Sequence, residues 1–156
     1  MAKFVFKLEG VLRQREQVEQ EKQRILAARQ SQLVELQNML LQIQREVSAS
    51  NDDIRQNHLV GRLNMEFLAA HRRFLTGMQR QAMGAIQKMQ LAQRAVDEAR
   101  AALAEAAKER KAIEKLREKQ LERWQSEQNR RELAEMDEIG MQLAYQALTE
   151  GSERAS

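Results

Sequence analysis

The chain contains no proline and no cysteine, only six glycines among its 156 residues, and aromatic residues make up 4%. Proline and glycine are the residues that most often end or interrupt a helix, so their scarcity favours long helices. So few aromatic side chains cannot fill the core of an ordinary α/β domain, and the absence of cysteine excludes disulfides and thiol chemistry. These absences predict a helical protein without a conventional globular core.

Long apolar runs are also missing from the sequence. No stretch approaches the roughly 18 to 20 consecutive apolar residues that a membrane-spanning helix requires. The first ten residues, MAKFVFKLEG, contain too short an apolar run for a signal peptide. We therefore expect a cytoplasmic protein.

Charged residues are abundant but nearly balanced in sign. They make up 31% of the chain, and 26 lysines and arginines against 23 acidic residues leave a net charge of +3. So small and scattered an excess does not indicate a nucleic-acid partner.

Apolar residues recur at steps of three and four from Phe4 onward, with a period close to 3.5 that is typical of a coiled coil. Break signals follow in the segment SASNDD at residues 48–53 and at Gly61. From Ile86 to about Leu148 the pattern is helical again without a clear stop. The first apolar seam comprises Phe4, Leu8, Val11, Val18, Ile25, Leu33, Leu36, Leu40, Ile43 and Val47.

These patterns predict an all-α fold: a long antiparallel two-helix coiled-coil hairpin with a kinked or folded-back helical centre. Antiparallel pairing that matches the polar segment 13–24 with the polar segment 117–132 places the fold-back near residue 72. Residues 1–156 would then form a single coiled-coil domain. Its parts would be a first arm at about 4–50, a centre with the turn at about 50–84, a second arm at about 85–148 and a frayed tail at 149–156.

Two features of the arms allow a structural and a functional interpretation. Arg15, Lys22 and Arg29 recur every seven residues at seam positions, where aliphatic residues would stabilise a coil most. Either these side chains extend out of a thin seam into water, or this end is under-packed and presents charge to a surrounding partner. Trp124, at about 100° per residue, lies about 20° from Ile113 and therefore on the seam face. It either packs within the coil or anchors a partner.

The centre contains FLAAHRRFLTGM at residues 67–78, with more large apolar groups than a two-stranded seam can cover. Either these groups pack within the fold-back, or they form an exposed docking patch for another protein.

Enzymatic chemistry finds no support in the sequence. His58 and His71 are not at a metal-ligand spacing, and the many glutamates lie on helix faces where no pocket can desolvate them. A glycine-rich phosphate loop is also absent. We therefore predict a non-catalytic protein without a metal or cofactor.

Two charged segments, one in each arm, carry a more particular pattern. Residues 6–27, FKLEGVLRQREQVEQEKQRILA, open with Leu-x-x-Val-Leu-x-x-Arg, and residues 96–140 contain Lys-Leu-x-Glu followed by RRELAEMDE. Together they resemble the FliJ family of flagellar type III export proteins. The resemblance covers the two arms and does not extend through the centre.

The resemblance implies a two-helix rod, similar to the central stalk helices of rotary ATPases, whose terminal end docks into a hexameric export ATPase. It also implies links to the membrane export gate and to export chaperones. The protein would then be associated with the inner membrane only through these partners. The candidate ATPase-binding residues that match the family are Arg13, Arg15, Lys115, Leu116, Arg117, Glu118, Arg130, Arg131, Asp137 and Glu138. The functional interpretations of the charged seam and of the tryptophan add Lys22, Arg29 and Trp124. The candidate gate-binding residues are Phe67, His71, Phe74 and Leu75, by location and expected exposure alone.

Two alternatives stay open at this point. One is a structural coiled-coil scaffold that homodimerises and has no ATPase partner. The other is the equivalent stalk protein of a virulence type III secretion system, which composition cannot separate from the flagellar one.

Overall fold

The computed structural model describes residues 3–59 and 61–155. They form helix α1 at Glu9–Asp53, a π-helical turn at Ile54–His58 and helix α2 at Met65–Arg154, and the described ranges contain no strand. The predicted all-α fold is therefore confirmed. The 90 residues of α2 run without interruption because residues with high helix propensity surround each glycine in it and no proline is present.

The chain forms two compact units. Residues 1–15 and 109–156 make up one, here called the terminal unit, and residues 16–108 make up the other, the central unit. In each unit a segment of α1 packs against a segment of α2.

The two helices are antiparallel within the terminal unit. The side chain of Glu9 bonds to Arg117, and Arg15, further along α1, bonds to Glu109, earlier in α2. Phe6 and Leu12 are buried there, each 6% exposed. The unit is therefore held by a narrow apolar seam with charged pairs beside it.

The central unit is an antiparallel hairpin, since Ser50 of α1 bonds to His71 of α2. Val96 is its most buried side chain, at 1% exposure. The other buried residues of α2 are all alanines, whose small side chains let the two helices approach closely. The buried residues of this unit are Ile43, Ile54, Ala85, Val96, Ala99 and Ala106.

The register of the hairpin differs from the sequence prediction. The contact between Ser50 and His71 puts the fold-back between His58 and Met65, and the predicted position near residue 72 is wrong. Matching segments by polarity gave a poor register because charged residues tolerate many alignments across a thin seam. The break signals, by contrast, lie where α1 ends.

The fold-back is built from residues suited to a turn. Gly61 has a φ of 91°, in the left-handed region that side chains with a Cβ rarely adopt. Asn64 then caps α2: its Oδ1 accepts a hydrogen bond from the backbone N–H of Phe67 at 3.2 Å. Helix α2 continues as far as Arg154, beyond the residue at which the sequence predicts fraying.

We expect Gly61→Ala to destabilise the protein by about 1 kcal/mol, because alanine is strained at a positive φ. An added Cβ would meet no atom within 4 Å, so the effect isolates the backbone conformation. Gly77→Ala is the matched control: Gly77 is helical and equally open, so alanine should stabilise by about 0.5–1 kcal/mol. Thermal unfolding followed by circular dichroism measures both, and equal shifts of one sign would contradict the role of the turn.

Candidate interaction surfaces

Charged pairs cross between the helices of the terminal unit. The Nε of Arg117 donates to Oε2 of Glu9 at 3.2 Å, and Arg15 forms a hydrogen-bonded ion pair with Glu109. All four side chains are 42% exposed. These arginines therefore extend from the seam towards water and bind carboxylates of the opposite helix, in agreement with the structural interpretation of Arg15.

Trp124 packs within the terminal unit. The centroids of its ring and of the Phe4 ring lie 6.0 Å apart, and the ring planes are tilted by 57°. Aromatic pairs prefer tilted arrangements of this kind. The tryptophan is half-buried, so its remaining edge stays accessible. It fixes the segment that precedes α1 against α2, as the seam interpretation predicts.

Most candidate ATPase-binding residues belong to the terminal unit, and only Lys22 and Arg29 belong to the central unit. Lys22 is half-buried at the seam, whereas Arg29 is exposed and bonds to Gln32 at 3.4 Å. The remaining candidates of the terminal unit, apart from Arg15, Arg117 and Trp124, are exposed. They are Arg13, Lys115, Leu116, Glu118, Arg130, Arg131, Asp137 and Glu138.

The last part of α2 is an exposed helix. Every residue from 129 to 155 is exposed, and four candidate residues, Arg130, Arg131, Asp137 and Glu138, lie in this segment. We call it the C-terminal extension. Leu133 is 63% exposed, Met136 69% and Leu143 61%. The sequence reading missed them, although their spacing of three and seven is the signal of a helical stripe. The stripe is Leu133, Met136, Gly140, Leu143 and Ala147.

A small polar network closes the hairpin end of the central unit. Nδ1 of His71 lies 3.0 Å from Oγ of Ser50, and Nε2 lies 3.2 Å from Oδ1 of Asn51. With the proton on Nε2, the imidazole accepts from the serine hydroxyl and donates to the asparagine. His71 thus ties the start of α2 to the end of α1.

The candidate gate-binding residues lie beside this network. Phe67, His71, Phe74 and Leu75 are all half-buried, and the rings of His71 and Phe74 lie 6.3 Å apart. These side chains were expected to be exposed, but they are exposed only in part, because each packs partly against the hairpin. Packing within the fold-back accounts for much of their apolar surface.

A groove between α1 and α2 runs next to these residues, with a volume of about 410 Å³. Apolar side chains form its floor, and Asp52 and Arg55 stand among the polar residues. The sequence reading missed it because the groove depends on the register of the hairpin. Its lining residues are Ile43, Gln44, Val47, Ser48, Asn51, Asp52, Arg55, Met78, Gln79 and Ala82.

Neither a metal site nor a membrane-spanning helix is found within residues 3–59 and 61–155. No group of three or more histidine, aspartate or glutamate side chains among them could hold a metal ion. In the same ranges, no helix is both long and apolar enough to cross a membrane.

Comparison with known proteins supplies the remaining observation. The sequence pattern of the family described as flagellar FliJ protein matches residues 4–149, which includes both arms and the centre. The chain belongs to the FliJ family. No curated protein and no solved structure matches it.

Membership in the FliJ family makes the chain a component of the flagellar protein export apparatus, a type III secretion system. FliJ proteins are non-catalytic components of that apparatus. The match extends beyond the two arms on which the sequence resemblance rests. The hairpin end of the central unit is therefore also part of the family match.

Proposed function

We propose that this FliJ-family chain binds the hexameric export ATPase through its terminal unit, in the manner of a central stalk. The observation that carries the proposal is the C-terminal extension, in which every residue from 129 to 155 is exposed. An isolated helix is only marginally stable in water, so a long helix without tertiary packing favours a role in binding.

The surface of the extension suits a partner that encloses it. Leu133, Met136 and Leu143 recur along one side, and an exposed apolar stripe of this kind is typical of protein interaction sites. Arg130, Arg131, Asp137 and Glu138 supply both signs of charge around it. A ring of identical subunits could therefore contact the extension through apolar and charged groups at once.

Two of the candidate ATPase-binding arginines already take part in ion pairs between the helices. Arg15 and Arg117 already bind Glu109 and Glu9, so their charges stabilise the unit itself. Exposed Arg13, Lys115 and Glu118 have their charged groups available for an ATPase. In this proposal the working surface consists of these residues and the extension, while Trp124 holds the unit together.

We also propose that the central unit provides the surface for the export gate and the export chaperones. The groove beside His71 and Phe74 supports this assignment, since it combines an apolar floor with polar residues at its edge. A partner helix or extended segment could lie along it. The link to the inner membrane would then pass through the gate protein.

The test is the hydrolysis rate of the cognate export ATPase with and without the full chain. We expect the chain to raise the rate and to promote ring assembly. Arg130→Glu with Arg131→Glu should weaken the stimulation about tenfold, because rim charges govern encounter and orientation. Arg45→Glu with Arg100→Glu is the matched control, since both residues are exposed in the central unit and the change in charge is equal.

Unchanged hydrolysis, with no complex at low salt, would overturn the stalk proposal. Light scattering on the free chain tests the alternative of a homodimeric scaffold, which predicts a stable dimer at micromolar concentration. The stalk of a virulence secretion system is the other alternative. It would stimulate a virulence ATPase in preference to a flagellar one.

A further inference from the structure

The positive charge of the chain is concentrated around the fold-back. Residues 54–96 contain seven arginines and lysines and a single acidic residue, Glu66, although the net charge of the whole chain is only +3. The rest of the sequence must therefore carry a net negative charge. This asymmetry is not used by the ATPase proposal, which concerns the terminal unit.

Several of these arginines lie on one outward surface of α2. Arg72, Arg73 and Arg80 line the same exposed patch, together with small or neutral side chains such as Thr76. At about 100° per residue, Arg73 and Arg80 point within about 20° of each other. Half-buried His71 lies on the other side of the helix, where α2 packs against α1.

The same side of α2 continues towards the middle of the unit. Arg94 lies fourteen residues after Arg80, two heptads further on, and is exposed. Between these arginines Met83 is 64% exposed and Leu91 is 63% exposed. We call the surface formed by Arg72, Arg73, Arg80, Met83, Leu91 and Arg94 the basic face.

The fold-back itself adds apolar side chains at the end of this surface. Leu59 and Leu63 are each 53% exposed and Met65 is 71% exposed. A loop between two helices normally carries polar residues, so three large exposed apolar groups require an explanation.

Acidic residues are scarce in the segment that carries the basic face, since Glu66 is the single one within residues 54–96. The ion pairs described in the central and terminal units involve Arg15, Arg24, Arg110 and Arg117. In contrast to Arg15 and Arg117, the guanidinium groups of the basic face are therefore available to an anionic partner.

We propose that the basic face, together with the exposed apolar residues Leu59, Leu63 and Met65 at the fold-back, binds an anionic phospholipid bilayer. Guanidinium groups bind lipid phosphates through paired hydrogen bonds, and exposed methionine and leucine side chains enter the interface between headgroups and acyl chains. An arginine near an anionic leaflet strengthens binding by about fivefold. The chain thus contacts the membrane directly, in addition to any contact through a gate protein.

The distribution of apolar groups favours a bilayer over other polyanions. Single-stranded nucleic acid is bound by stacking on exposed aromatic rings, whereas Phe67 and Phe74 are half-buried and the basic face contains no aromatic residue. In protein–protein interfaces the binding energy is concentrated in a few well-packed, desolvated residues that cluster near the centre. The basic face is the convex side of one helix, with isolated apolar side chains between arginines.

The experiment is flotation of the full chain with lipid vesicles. Vesicles of phosphatidylethanolamine with phosphatidylglycerol should bind the chain at low salt, and vesicles of phosphatidylcholine alone should not. High salt should weaken the binding, since exposed charges are screened. Equal binding to both vesicle types, or no binding to either, would overturn the proposal.

A charge-reversal variant locates the surface. Arg73→Glu with Arg80→Glu and Arg94→Glu should reduce binding to anionic vesicles by at least tenfold. The matched control is Arg24→Glu with Arg100→Glu and Arg123→Glu, three exposed helical arginines outside the basic face, and it should retain most of the binding. Equal losses in the two variants would show attraction by net charge alone and overturn the assignment. Circular dichroism verifies that both remain helical.

A second variant separates insertion from charge. Met83→Ser with Leu91→Ser should lower vesicle binding severalfold while leaving its salt dependence unchanged, because the arginines remain. Labelled poly-uridine and poly-glutamate serve as competing polyanions. Should either displace the chain from vesicles at equal charge concentration, and the serine variant bind vesicles normally, the surface would be a general polyanion site and not a bilayer site.

Discussion

Replacement of Val96 by aspartate is expected to destabilise the central unit by about 3 kcal/mol or more. Val96 is 1% exposed and lies where α2 packs against α1, so a carboxyl group there would lose its water without gaining a partner. A two-helix unit has a single apolar layer and no second core to compensate. For a chain of this length, we expect a melting temperature lower by about 6–12 °C.

Val34→Asp is the matched control for this prediction. Val34 is a helical valine of the same unit but is 49% exposed, so an aspartate at this position remains hydrated. The free energy of unfolding should then change only by the small difference in helix propensity. Thermal unfolding followed by circular dichroism compares the two variants. Similar losses at both positions would mean that burial at Val96 is not what stabilises the hairpin.

Leu12→Ala is expected to destabilise the terminal unit by about 2 kcal/mol, near the lower limit for buried leucines. Leu12 is 6% exposed, and its removal leaves a gap in a seam that contains only one other buried residue, Phe6, among the described residues of that unit. Water can reach the gap from the open sides of the seam, so the effect should be smaller than in a globular core.

Trp124 makes this loss measurable within the terminal unit. It is the single tryptophan of the chain and packs on Phe4, so its fluorescence reports on that unit. Leu133→Ala, in the C-terminal extension, is the control. Because Leu133 is 63% exposed, its truncation should change the free energy of unfolding by less than about 0.5 kcal/mol. In denaturant titrations, a fluorescence midpoint that moves equally in both variants would contradict a packed seam around Leu12.

The two proposed binding surfaces lie away from the buried side chains that these two predictions change. The stalk proposal assigns the ATPase contact to the extension, whose apolar stripe is stabilised by a partner and not by the chain itself. The membrane proposal assigns the outer side of α2 to lipid. Both surfaces are therefore free of the packing that the two stability predictions test.

Some features of the candidate surfaces were accessible from sequence patterns. Trp124 lay on the seam face by its position on the helical wheel, and it packs on Phe4 as that position requires. The carboxylate partner of Arg15, by contrast, could not be named. Glu109 is 94 residues away in the chain, and its proximity depends on how the two helices align.

The register explains the remaining differences. The groove beside Val47 and Met78 and the half-burial of Phe67 and Phe74 follow from the position of the fold-back. Local polarity is a weak guide to that position, because lysine and arginine side chains can leave the seam in almost any alignment. A few buried contacts, such as those of Val96, select one alignment from many.

The sequence by itself determined that this protein is helical, that its helices pair through an apolar seam, and that it resembles the FliJ family. Helix formation and seam periodicity are properties of residues close together in the chain, so local patterns suffice to predict them. Only the tertiary structure decided which residues face each other, which arginines bind carboxylates, and that residues 129–155 remain exposed. These features depend on contacts between residues far apart in the chain. Such contacts form, and contribute to stability, only when the two helices pack against each other.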